Sequence, residues 1–120
     1  TMPTDIPSLQ ASLRVFASER DWDQFHSPKN LATALAVEAA EILEHFQWLT
    51  EEQSRSLTED KREEVADELA DVLLYLVRLS DKLGIDLLAA ADRKRFSIGT
   101  LYLFPKLLAL HPAIENGFQA

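Results

Sequence analysis

Residues 31–49 read LATALAVEAAEILEHFQWL, and residues 64–77 read EVADELADVLLYLV. Both stretches are rich in apolar residues at helical spacing. The only acids of the first are Glu38, Glu41 and Glu44. At about 100° per residue, Glu38 and Glu41 lie about 60° apart on one face, and Ala34, His45 and Trp48 share that side. The second stretch repeats the spacing with Glu68 and Asp71. Glu64 and Tyr75 extend the same stripe one turn in each direction. Val72, Leu73 and Leu74 follow Asp71, which are core-type surroundings.

Acids three residues apart usually mark a solvated helix face. Two such pairs, both inside apolar runs, are harder to explain that way. Burying an unpaired carboxylate is costly, and gathering several raises their pKa values by mutual repulsion. Basic residues are scarce nearby: Lys61 and Arg62 lie at the start of the third helix and Arg78 lies two turns past Asp71. A divalent cation resolves the conflict. Ligands that are all oxygen, with no cysteine and no paired histidine, favour Mg²⁺, with Mn²⁺ possible, over zinc.

The rest of the chain is read outward from these two helices. A first helix is predicted over Ser8 to about Arg20, with Leu9, Leu13, Phe16 and Ala17 on one face. Residues 21–27, DWDQFHS, form an aromatic loop. Ser27 and Pro28 have the form of a cap followed by proline at the first helical position, so the second helix starts there and runs to about Leu49. Thr50 to Gln53 has the form of a capping box on a short connecting helix. Thr58 caps the third helix, whose first turns hold Glu59, Asp60, Glu63 and Glu64, and Gly84 stops it after Leu83. Asp86 caps a fourth helix through about Arg95. Strand and hairpin signals are nearly absent. The prediction is an all-α fold, a four-helix bundle-like domain covering residues 1–120, with an apolar tail over 96–120. The small core of one such unit and the apolar tail imply assembly into an oligomer.

Composition narrows the function. The chain has 120 residues with 12 Lys+Arg against 20 Asp+Glu, a net charge of −8. That sign argues against binding nucleic acid by a basic face, and any anionic substrate would need a cation as intermediary. The absence of cysteine excludes thiolate zinc sites and a cysteine nucleophile. No apolar run reaches the ~20 residues of a membrane span, and the first ten residues lack the pattern of a signal peptide. The expectation is a soluble, cytoplasmic protein.

Glu38-x-x-Glu41 and Glu68-x-x-Asp71, with residues 42–67 between them, resemble the signature of the MazG-like superfamily of all-α nucleoside triphosphate pyrophosphohydrolases. The segments ERDWDQFHSPKNL (19–31), FQW (46–48) and ELADVLLYLV (68–77) look like its dCTP pyrophosphatase branch, and the resemblance covers residues 8–94. It implies Mg²⁺-dependent hydrolysis of a (deoxy)nucleoside triphosphate, such as dCTP or a modified dCTP, to monophosphate and pyrophosphate, a nucleotide-pool house-cleaning activity. By the same resemblance Glu38, Glu41, Glu68 and Asp71 are metal ligands, and members assemble as dimers or tetramers. A carboxylate not fully engaged by metal, Glu41 or Glu44, serves as base.

The resemblance also sets the base and sugar near Trp22, Phe25, His26, Trp48 and Tyr75, because aromatic faces stack on nucleobases. His26 can donate to a phosphate. Lys29 and Asn30 lie in the second helix's first turn, where free amides attract anions. Lys94 begins the family's K-x-x-x-N. Two departures stand out. Leu13 occupies a position where related dCTP enzymes carry a substrate-contacting histidine. Ile98 stands where the asparagine would be, and the basic run that follows in the family is missing. These departures leave open two other readings: the same fold acting on another nucleotide such as dUTP, or a non-catalytic helical binding or dimerisation module.

Overall fold

In the computed structural model, residues 1–95 are described. The apolar tail 96–120, with Ile98, lies outside them. The chain divides into two compact units, residues 1–85 and 86–120.

The first unit contains four α-helices: α1 (Ile6–Glu19), α2 (Pro28–Phe46), the short α3 (Glu51–Ser54) and α4 (Glu59–Lys82). A single 3₁₀ turn, Asp23–Phe25, sits between α1 and α2. The described part of the second unit is α5 (Leu87–Lys94). Among the described residues there is no strand, and the all-α class stands. No described helix is long and apolar enough to cross a membrane.

The helix ends follow local chemistry. Ser27 Oγ accepts from the amide of Asn30, and Pro28 opens α2. Thr50 and Gln53 form a reciprocal capping box on α3. Thr58 caps α4 and Asp86 caps α5, each accepting from the amide three residues on. Two boundaries differ from the sequence reading. α1 begins at Ile6, not Ser8: Asp5 is the cap, and Ser8 is its partner in a capping box. Pro7 is tolerated because a first-turn amide has no intrahelical partner. α2 ends at Phe46 rather than Leu49, because Thr50 already caps α3 and the intervening residues turn to reach it.

α1 and α4 end alike. After α4, Gly84 takes φ +67°; its amide bonds to the Asp81 carbonyl, and Ile85's bonds to that of Ser80. After α1, Asp21 takes φ 54°; its amide bonds to the Ser18 carbonyl, and Trp22's bonds to that of Ala17. Both are Schellman stops. Asp21 fills the left-handed position usually held by glycine. Gln24 Nε2 steadies it, donating to its carbonyl at 3.0 Å and its carboxylate at 2.9 Å.

The main packing pair is α2 against α4, with α1 also against α4. Ala17, Leu31, Val65 and Val77 form the buried apolar centre, and Val77 is fully covered. Burying a side chain of that size contributes about 1.5–3 kcal/mol. Much apolar surface stays outside this centre. Trp48 is 86% exposed, and Leu43, Leu69 and Val37 are more than half exposed.

Candidate active site

The pairing of α2 with α4 brings the two carboxylate pairs together. Glu38, Glu41 and Glu68 each offer an oxygen such that all three oxygens lie within 4.8 Å of one another. One oxygen of Glu38 and one of Glu68 are buried with no hydrogen-bond partner. Such orphaned acceptors are costly, and they point to a missing donor or cation.

The electrostatics agree. Glu38 is pushed up to about 7, first by burial, then by its shared hydrogen bond with Glu41 and by the charges of Glu41, Asp71 and Glu68. Glu68 is also raised, first by its hydrogen bond with Glu41, then by burial and by the charges of Glu41 and Asp71. The four acids therefore share one electrostatic neighbourhood. Their all-oxygen donor set fits a hard divalent cation.

His45 sits over this cluster from α2. Its Nε2 lies 3.7 Å from Glu68 Oε1, and its Nδ1 lies 3.7 Å from Glu64 Oε2. Lys61 Nζ is 3.3 Å from the same Nδ1 and 3.2 Å from Glu64. Glu44 is exposed and outside the cluster.

Beyond Asp71, a cavity of about 440 Å³ opens between α1, the aromatic loop and α4. Leu13, Phe16 and Ala17 line it from α1. Trp22, Phe25 and His26 line it from the loop, and Asp71, Leu74, Tyr75 and Arg78 from α4. Trp22 packs edge-on against Phe16 at 5.5 Å between ring centroids, and Arg20 lies 3.4 Å over the Phe16 ring. Asp71 is not one of the three acids whose oxygens cluster, but its charge acts on Glu38 and Glu68 and it lines the cavity, so the two features adjoin.

The loop is tied to α4 by a residue the sequence reading used only as a scarce cation. Arg78 is 5% exposed. It donates to His26 Nδ1 and, at 3.0 Å, to Asp23 Oδ1. Lys82 Nζ donates to the same Asp23 oxygen at 2.5 Å. These two donors hold the Asp23 carboxyl below its ordinary range, Lys82 first. Behind Arg78, Asp81 Oδ2 accepts from Arg14 Nε of α1 at 2.7 Å, and Oδ1 accepts from Nη2. No local pattern announces this network, since its partners lie more than fifty residues apart in the chain.

The remaining predicted residues are placed differently. Asn30 donates from Nδ2 to the Phe25 carbonyl at 3.0 Å, so it secures the loop. Lys29 is exposed and does not line the cavity. Trp48 likewise lies outside the cavity wall. Lys94 ends α5, in the second unit.

An all-α bundle with facing carboxylate pairs beside an aromatic cavity defines a class of acidic, metal-ready helical sites. The MazG-like family model matches residues 33–96, and the chain belongs to that family. It is 46% identical over 85 residues to dCTP pyrophosphatase 1 of Homo sapiens, covering 69% of this chain and 48% of that protein. It is 40% identical over 102 residues to dCTP pyrophosphatase 1 of Bos taurus, covering 78% of this chain and 59% of that one. The chain thus spans about half the length of the curated relatives it matches. A solved pyrophosphatase from Archaeoglobus fulgidus superposes with a TM-score of 0.75 at 36% identity, covering 86% of this chain and 96% of that chain.

Proposed function

We propose that this chain is a metal-dependent nucleoside triphosphate pyrophosphohydrolase that cleaves a deoxynucleoside triphosphate of the dCTP kind to monophosphate and pyrophosphate. The observation that carries the reading is the convergence of Glu38, Glu41 and Glu68 with two orphaned buried oxygens. The pyrophosphatase relatives and the adjoining cavity support it.

Glu38, Glu41, Glu68 and Asp71 would hold Mg²⁺, with Mn²⁺ as a substitute. The bound ion would supply charge neutralisation for the phosphates and lower the pKa of its water. The chain's own residues do the rest. Trp22, Phe25 and Tyr75 give a nucleobase apolar and aromatic faces to stack on. Asp71, on the cavity wall, sets the phosphates beside the acids when the base is inside. Glu41, whose oxygen clusters with those of Glu38 and Glu68, is the better placed general base of the two named from sequence; Glu44 lies outside the cluster. His45 steadies Glu68 from above. Leu13 makes one cavity wall apolar, so base selectivity rests on shape and on His26 and Tyr75.

The exposed Trp48, Leu43 and Leu69 support assembly into a homo-oligomer, a dimer or tetramer. House-cleaning of a cytoplasmic nucleotide pool is the role that fits this chemistry. A panel of nucleotides incubated with Mg²⁺ and with EDTA tests the reaction. Monophosphate plus pyrophosphate, formed only with metal, is the expected result.

A further inference from the structure

Arg78 has only donors, and two of them meet one atom. Nε lies 3.3 Å and Nη2 lies 3.2 Å from His26 Nδ1. Guanidinium cannot accept a hydrogen bond, so Nδ1 must carry a lone pair and no hydrogen. In a neutral imidazole the hydrogen then sits on Nε2. The described residues give Nε2 no hydrogen-bond partner, and the ring lines the cavity beside Trp22, Phe25, Asp71 and Tyr75. The Trp22 and His26 ring centroids are 6.5 Å apart at 55°, so a planar ring stacked on Trp22 brings its edge toward the imidazole.

The geometry points to Arg78 as a positioning residue that holds His26 as a neutral imidazole with its hydrogen on Nε2, a donor for a ring carbonyl of the nucleobase. This rests on the proposed reading of the cavity as a nucleotide site. It adds a base-reading donor and names what orients it. The groups facing His26 are Arg78 and Lys82 of α4 and Asp23 of the loop turn, with Asp71 and Tyr75 on the shared wall; α1 brings only Leu13, Phe16 and Ala17. Burial lowers the His26 pKa first and the Arg78 charge next, against the opposing pull of Asp23, so the neutral form is the resting one.

The test is nitrogen NMR of the full chain labelled at histidine, with His26 assigned through His26→Gln. The expected spectrum shows His26 neutral at pH 7 in the single Nε2–H form. A cationic ring or the Nδ1–H form would overturn the proposal without any variant. Adding dCMP should shift the Nε2 signal, while deoxyribose 5-phosphate and inorganic pyrophosphate should not. An equal shift with either of those would mean a sugar or phosphate contact and would also overturn it. Arg78→Met should mix the two tautomers and raise KM about tenfold, with kcat changed less than threefold, and Arg78→Lys should recover part of that loss. If no nucleotide is hydrolysed while the Nε2–H form and the dCMP shift are seen, the proposed reaction fails and the positioning role stands.

Discussion

Glu38 of α2 and Glu68 of α4 bring carboxylate oxygens within 4.8 Å of each other, and each has an oxygen buried without a partner. Like charges so close destabilise the folded chain unless a proton or a cation lies between them. Removing one charge should therefore help the metal-free protein and harm the metal-bound one. Glu38→Gln and Glu68→Gln should melt at the same temperature as the parent or higher in EDTA. Both should lose the stabilisation that Mg²⁺ gives the parent, since an ion that binds only the folded state must stabilise it. Hydrolysis should fall at least about a hundredfold, the scale on which lost electrostatic stabilisation of a transition state is measured. Thermal melts with and without Mg²⁺, alongside activity, check this.

The same pair sets a pH dependence. The folded chain holds the Glu38 proton up to about pH 7, whereas an unfolded glutamate releases it near its ordinary value. The folded state thus binds more protons between those limits, and stability without metal should fall as the pH rises from about 4.5 toward 7. Metal binding near pH 6.5 should release a proton, because the ligand must be ionised. Calorimetric titration of Mg²⁺ in buffers of different ionisation enthalpy reads that proton directly.

Asp81 ties α1 to α4 through Arg14 and stands near Arg78. Asp81→Ala removes the acceptor of two charge-assisted hydrogen bonds and leaves a buried guanidinium with one anion fewer. The cost should be about 1–3 kcal/mol in urea unfolding. Arg14→Ala, at a more exposed side chain, should cost less.

Gly84 ends α4 at φ +67°, and a Cβ there meets nothing within 4 Å. Gly84→Ala should cost only the backbone strain of that region, about 1–2 kcal/mol. The melting temperature should drop by roughly 4–8 °C with activity unchanged. Asp21 holds the equivalent position after α1, so Asp21→Gly should be nearly neutral, trading relief of strain for the one Gln24 bond that its carboxylate accepts.

What the sequence disclosed and what it hid follow from the range of the interactions. Ser27 with Pro28, Thr50 with Gln53, Thr58, Gly84 and Asp86 act within four residues, and each marks the boundary it was read to mark. The start of α1 lies two residues before Ser8, because Asp5 is the cap and Ser8, at the third helical position, is its capping-box partner. The i, i+3 acids were visible as a face within each helix, but their meeting depends on how α2 crosses α4. The clamp of Arg78 on His26 and Asp23 was invisible: it joins residues 52 and 55 apart. Trp48, read as a base contact by resemblance, stands exposed outside the cavity wall, and nothing in FQW itself signals that placement.

The most direct test of the central claim is product analysis. The purified chain is incubated with each common dNTP and NTP, with Mg²⁺ or with EDTA, beside its Glu68→Gln variant, and the products are resolved by ion exchange. Monophosphate and pyrophosphate from the parent with Mg²⁺ alone, dCTP among the better substrates and the variant inactive, is the predicted result. Diphosphate and phosphate as products, or turnover that survives both EDTA and Glu68→Gln, would contradict it.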